Sequence, residues 1–145
     1  QGLLGHLGNP PTGGPVPTGG KGPCHVCVDH RGKVVLAANY GGGSVVCLAL
    51  ADDGSIQPAA RGTPGGFIQH AFDRKDTPGI DPRRQEGPHA HSVDVSPDGR
   101  FAFVCDLGLD QVLIYRLDTA RATLSPHGHA TLPAGSGPRH FAMHP

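Results

Sequence analysis

The chain repeats itself. Val28-Asp29-His30-Arg31-Gly32-Lys33 leads into Val34 to Asn39, a glycine-rich turn and Ser44 to Leu50. At a constant offset of 67, without a gap, Val95-Ser96-Pro97-Asp98-Gly99-Arg100 leads into Phe101 to Asp106, Leu107 to Asp110 and Gln111 to Leu117. A third copy opens at Gly137-Pro138-Arg139-His140, and its His144-Pro145 matches Ser96-Pro97 at an offset of 48. Such self-similarity restricts a chain to architectures in which one small unit recurs and each copy buries its apolar surface against the next. It also decides how the composition is read. Gly (23) and Pro (15) make up about a quarter of the 145 residues, a share that marks a disordered chain when it has no period. Here most of them recur at turns and unit junctions, as in Gly22-Pro23, Gly87-Pro88 and Gly137-Pro138; residues 1–20 and 61–87 are the exceptions.

Each unit reads as short strands punctuated by turns. Runs rich in Val, Leu, Ile and Phe are bounded by Gly, Asp, Asn and Pro. His30-Arg31-Gly32-Lys33 and Pro97-Asp98-Gly99-Arg100 put glycine where a tight hairpin needs positive φ, and Tyr40-Gly41-Gly42-Gly43 and Leu107-Gly108-Leu109-Asp110 form the next hairpin. A fourth strand is expected at Ser55 to Ala60 in one unit and at Thr123 to Leu132 in the other. No window carries helical periodicity with caps. Four antiparallel strands in about 48 residues is the arithmetic of a β-propeller blade. The fold expected is all-β, with this chain a fragment of about two to three blades. Residues 1–21 would end a preceding blade and its connection, 22–61 form a blade, 62–86 a long loop, 87–134 a second blade, and 135–145 the first strand of the next. The first offset exceeds the second by 19 residues, and the excess is placed between Arg61 and Gly87, where a long connection on an economical scaffold is read either as part of a ligand site or as a passive loop.

Charge and cysteine content remove several partners. Lys+Arg (12) and Asp+Glu (12) cancel, so neither a nucleic-acid footprint nor a polybasic membrane patch is expected. No apolar run reaches the ~18 residues of a membrane helix. Four cysteines are too few for a disulfide scaffold, which suggests a reducing, cytoplasmic setting. Cys24-His25-Val26-Cys27 has a CxxC spacing, but strand residues three apart point to opposite faces, so no metal and no cofactor are expected. His127 and His129 read as turn residues, and Asp106 and Asp110 as acceptors of turn amides.

Several segments, taken in order, resemble one family. They are Gly22-Pro23-Cys24-His25-Val26, Ala38-Asn39-Tyr40-Gly41-Gly42-Gly43-Ser44-Val45, Arg84-Gln85 leading to Pro88-His89-Ala90-His91, Ser96-Pro97-Asp98-Gly99-Arg100, Asp106 to Asp110, and Gly135-Ser136-Gly137-Pro138-Arg139-His140. The set is similar to that of the seven-bladed β-propeller lactonases, which include the propeller-type 6-phosphogluconolactonases and are related to the carboxy-muconate cyclases. The resemblance runs from Gly22 to Pro145 and implies a seven-bladed ring, of which the remaining blades of the same chain would be partners. An isolated piece of such a ring is expected to be inactive and to expose open strand edges.

The repeat supplies a site argument of its own. His91 and Arg139 occupy one register at the start of the first strand in consecutive blades, with Cys24 one blade earlier. First strands line a propeller's channel, so equivalent positions converge on one opening. Strand alternation groups His91 with Val93 and Val95, and Arg139 with Phe141 and Met143. That face either looks into the channel or tucks between blades. The resemblance favours the site, because the His and Arg of the matching segments are proposed site residues in the cyclase relatives; a partner acid would lie after Pro145.

The function implied is hydrolysis of a sugar lactone, 6-phosphogluconolactone foremost. His91 would act as general base on water, and Arg139 would hold an oxyanion or an anionic substituent. His89 is the alternative base, and Arg84 and Gln85 are candidates for binding a phosphate or hydroxyls. The alternatives are a lactonising isomerase of the muconate-cyclase type, and a propeller that binds a ligand or protein without catalysis.

Overall fold

A computed structural model describes residues 3–4, 15–58, 66–73 and 78–144. All of its regular elements are strands. A short antiparallel pair, β1 (Leu3–Leu4) with β2 (Val16–Pro17), precedes two four-stranded antiparallel sheets. The first sheet is β3 (Pro23–Val28), β4 (Val34–Asn39), β5 (Ser44–Ala49) and β6 (Phe67–Gln69). The second is β7 (Ala90–Val95), β8 (Phe101–Asp106), β9 (Gln111–Asp118) and β10 (Thr123–Thr131). Each sheet is a meander in chain order, so the two copies of the sequence repeat are two blades.

The turns follow from their side chains. In the first blade the Asp29 carboxylate accepts the amides of Arg31, Lys33 and Val34, at 3.0, 2.6 and 2.7 Å. In the second, Ser96 stands at the same register: its Oγ donates to Asp98 at 2.6 Å and accepts from the Phe101 amide at 3.0 Å. Gly32 and Gly99 close these turns at φ of 64° and 72°, where an L side chain would be strained.

The blades pack face to face. Val34, Leu36, Ala38, Val45 and Cys47 from the first meet Ala90, Val93, Ala102, Val104, Tyr115 and Leu124 from the second. Strand alternation sends Val35, Ala37, Val46 and Leu48 to the opposite face of the first blade, where Val16, Leu50 and Ile56 cover them. β4 is therefore buried on both faces and reads as a continuous apolar run.

Three expectations are corrected. The fourth strand of the first blade is not one run at Ser55 to Ala60. Ile56 bridges Leu50, and the Gln57 amide donates to Ala49 at 2.8 Å. The edge resumes only at β6, which pairs Ser44 with Gln69 and Val46 with Phe67. Phe67–Gln69 lies within the stretch read as loop because three residues among glycines carry no period, and most of the extra residues follow it, between Gln69 and Ala90. Residues 59–60 of that expected strand lie outside the described ones. His127 and His129 belong to β10 rather than a turn; a bulge between Pro126 and Gly128 accommodates the proline. Residues 132–144 include no strand, because a blade's first strand needs its own second strand to pair with, and none lies beside it among the described residues.

Candidate functional site

The same irregularity occurs in the first strand of both blades. In β3 the ladder passes from Pro23↔Asn39 to His25↔Ala38, and in β7 from Ala90↔Asp106 to Ser92↔Cys105. Cys24 and His91 are the extra residues, 67 positions apart as the repeat requires. A bulge breaks alternation and re-aims the side chain it carries. Val93 is consequently in the core between blades, whereas the ring of His91 reaches the segment after β10.

There Arg139 Nε donates to His91 Nε2 at 3.0 Å. The two residues that the repeat places in one register are in direct contact. Around them the His91 ring meets His140 edge-on at 5.0 Å and Tyr40 at 5.7 Å, and His140 lies 5.9 Å from the ring of His25. Cys24 Sγ lies 3.3 Å from the His91 carbonyl. The three registers thus contribute to one cluster: Cys24 and His25, His91, and Arg139 and His140.

Electrostatics keep His91 neutral. Partial burial lowers its pKa first, then the positive charge of Arg139 and its neighbour His140; its own carbonyl pulls weakly the other way. A guanidinium has no lone pair to offer, so His91 Nε2 must be the acceptor and the ring proton sits on Nδ1. That Nδ1 is buried with no hydrogen-bond partner among the described residues. The Cys24 thiol is raised by burial, against opposing pulls from the Tyr40 backbone and Arg139, so it is not an activated nucleophile. Cys27 belongs to the interblade core rather than this mouth, and burial pushes it up to about 12. Among the described residues no three His, Cys, Asp or Glu side chains are placed to share a metal ion.

The other expected binding residues are placed away from the His91–Arg139 contact. His89 is buried, its Nδ1–H donates to the Tyr40 carbonyl at 2.9 Å, its Nε2 meets Glu86 at 3.2 Å, and its ring stacks on Tyr40 at 4.5 Å. Both of its nitrogens are thus engaged, one of them on the first blade's hairpin. Gln85 is buried as well. Its Oε1 accepts the Asp81 amide, and its Nε2 donates to the Leu107 carbonyl and to Asp110 Oδ1, all at 2.8 Å. These three bonds brace the Leu107–Asp110 hairpin against the Asp81 turn, and none of them leads to His91. Arg84 is exposed on the Asp81 turn, to which its amide donates at 3.0 Å; nothing brings its side chain to His91.

Asp106 and Asp110 accept amides as expected. Asp106 takes those of His89 and Leu109, at 2.8 and 3.1 Å, and its second oxygen meets His70 Nδ1 at 2.6 Å. Asp110, itself at φ of 52°, takes the amides of Gly135 and Gly137 at 2.9 and 2.7 Å. Those two bonds position Arg139, two residues further on. The sequence reading missed His25, Tyr40 and His140 as site neighbours. The first and last follow from the same register as His91 and Arg139, taken one residue on; Tyr40 follows from nothing but the packing of one blade's hairpin against the next blade's first strand.

The family model for lactonases with a seven-bladed β-propeller matches residues 10–145. The 6-phosphogluconolactonase of Bacillus subtilis is 35% identical over 127 residues, which is 87% of this chain and 32% of the relative. That of Klebsiella pneumoniae is 31% identical over 124 residues, covering 85% and 31% respectively. The solved structure of a periplasmic gluconolactonase from Pseudomonas aeruginosa superposes with a TM-score of 0.70 at 34% identity, over 87% of this chain and 34% of that one. The chain therefore spans about a third of the length of the relatives it matches.

Proposed function

We propose that this chain, which belongs to the lactonase family of seven-bladed β-propellers, forms the part of a sugar-lactone hydrolase that supplies the base and its cationic partner. One observation carries the reading: two polar side chains from consecutive repeats converge, Arg139 Nε on His91 Nε2 at 3.0 Å. The names of the Bacillus and Klebsiella relatives support 6-phosphogluconolactone as the substrate.

A neutral imidazole can take a proton from water as the water oxygen bonds to the lactone carbonyl carbon. Negative charge then develops on the carbonyl oxygen. Collapse breaks the bond to the ring oxygen, which takes the proton back from the imidazolium. The product is a hydroxy acid, and His91 ends as it began. The lowered pKa of His91 keeps it in the basic form at neutral pH. A cation beside it serves either the developing oxyanion or an anionic substituent of the substrate.

The test is hydrolysis of 6-phosphogluconolactone and glucono-1,5-lactone by the whole protein, followed as acid release above the spontaneous rate. Catalysed opening of at least one lactone is expected. Binding of either lactone with no acceleration would replace this reading with that of a non-catalytic propeller.

A further inference from the structure

The contact that identifies the site also blocks it. Nε2 of His91 holds the ring's lone pair, and Arg139 donates into it. The other nitrogen is buried and carries the proton. No face of the imidazole is then free to accept a proton from water. For His91 to act as a base, Arg139 has to leave it.

Arg139 is free to do so. Its residue is exposed and lies on the strand-free run after β10. Only its Nε is engaged; its two terminal nitrogens make no hydrogen bond among the described residues. The run is held by Asp110 at Gly135 and Gly137, so the main chain can stay in place while the side chain swings. The exchange that favours swinging is chemical: a guanidinium bonded to a neutral imidazole gains more from a bidentate, charge-assisted pair with an anion. The histidines at His25 and His140 add no negative charge to compete for it.

We propose that Arg139 masks His91, and that an anionic group on the lactone, a phosphate or a carboxylate, draws the guanidinium away and exposes the base. The proposal rests on the lactonase reading and names its substrate class: lactones carrying an anionic substituent. Selectivity then appears in kcat/KM through the reacting step, since binding energy from a remote group is used to assemble the site.

Separating the substrate into pieces tests it. The whole protein is assayed with neutral glucono-1,5-lactone, alone and with added phosphite dianion, and with 6-phosphogluconolactone. The phosphorylated lactone is expected to exceed the neutral one by at least about 100-fold in kcat/KM, and saturating phosphite to raise turnover of the neutral lactone by at least about tenfold. Arg139→Ala is expected to abolish the phosphite response, because the mask goes with the residue. Equal use of both lactones with no phosphite effect would overturn the mask while leaving the lactonase reading intact. A parallel collapse of both activities in Arg139→Ala would also overturn it, making Arg139 an oxyanion stabiliser. Should no lactone be turned over, the lactonase reading fails by itself. The mask is then judged by nitrogen NMR of His91 during titration with inorganic phosphate: a shift of the Nε2 resonance supports it, and an unmoved resonance at saturation refutes it.

Discussion

Replacing Gln85 by Ala separates a brace from a substrate contact. Gln85 makes three hydrogen bonds of 2.8 Å from a buried position: to the Asp81 amide, the Leu107 carbonyl and the Asp110 carboxylate. Truncation loses two neutral bonds worth about 1 kcal/mol net each, and one to a carboxylate worth about 1.5–3 kcal/mol. It also leaves the buried Leu107 carbonyl without the donor it has in the parent. A loss of about 4 kcal/mol is expected. At about 2–4 °C per kcal/mol for domains of 150–250 residues, and less for a larger ring, the melting temperature of the whole protein should fall by roughly 5–10 °C. Asp110 keeps its bonds to Gly135 and Gly137, so KM for the lactone should change less than about threefold below the transition. The assay pairs thermal unfolding with steady-state kinetics at 20 °C. A variant that melts within 1 °C of the parent but has KM raised tenfold would refute the reasoning and return Gln85 to the substrate.

Further tests address the blade junction and the site. A Cβ on Gly43, at φ of 60°, would overlap the Pro88 carbonyl of the next blade, whereas Gly32, at 64°, has open space around it. Gly32→Ala should cost only the backbone term of about 1–2 kcal/mol, and Gly43→Ala measurably more, by thermal unfolding. Asp106→Ala strips the buried His70 of its partner and should cost about 3–5 kcal/mol. Asp106→Asn, which copies Asn39 at the equivalent position of the first blade, should cost less than half of that in the same measurement. The free-enzyme pKa of His91 is lowered by burial and by Arg139, so the acid limb of kcat/KM should lie below the usual ~6.5 of histidine. The sign follows from charge: Arg139→Gln removes a cation that disfavours the imidazolium, so the limb should move up towards ~6.5.

The blades were legible because the repeat, the turn glycines and the alternating apolar runs all report local chemistry. The strand ends that failed did so for want of a local signal. Phe67–Gln69 is only three residues long and is a strand because Ser44, Val45 and Val46 offer it a free edge. His129 pairs with Leu113 because a bulge absorbs Pro126. The register argument brought out His91 and Arg139 without knowledge of their contact. The bulge that turns His91 out of the core was invisible, since a β-bulge here has no residue signature; the serine after His91 and the histidine after Cys24 look like ordinary strand positions. His89 and Gln85 looked like site residues because they are polar and close in sequence to His91. The structure shows both buried, with His89 bonded to Tyr40 of the first blade and Gln85 bonded to Asp81, Leu107 and Asp110.

The most direct test is kcat/KM of the whole protein for 6-phosphogluconolactone before and after His91→Ala, with melting temperature measured alongside. Loss of a general base is expected to lower kcat/KM by about 10²–10⁴ while the melting temperature stays within a few degrees, because the ring of His91 lies outside the core between the blades. A variant that folds and hydrolyses the lactone within about threefold of the parent rate would contradict the assignment of His91 as the base.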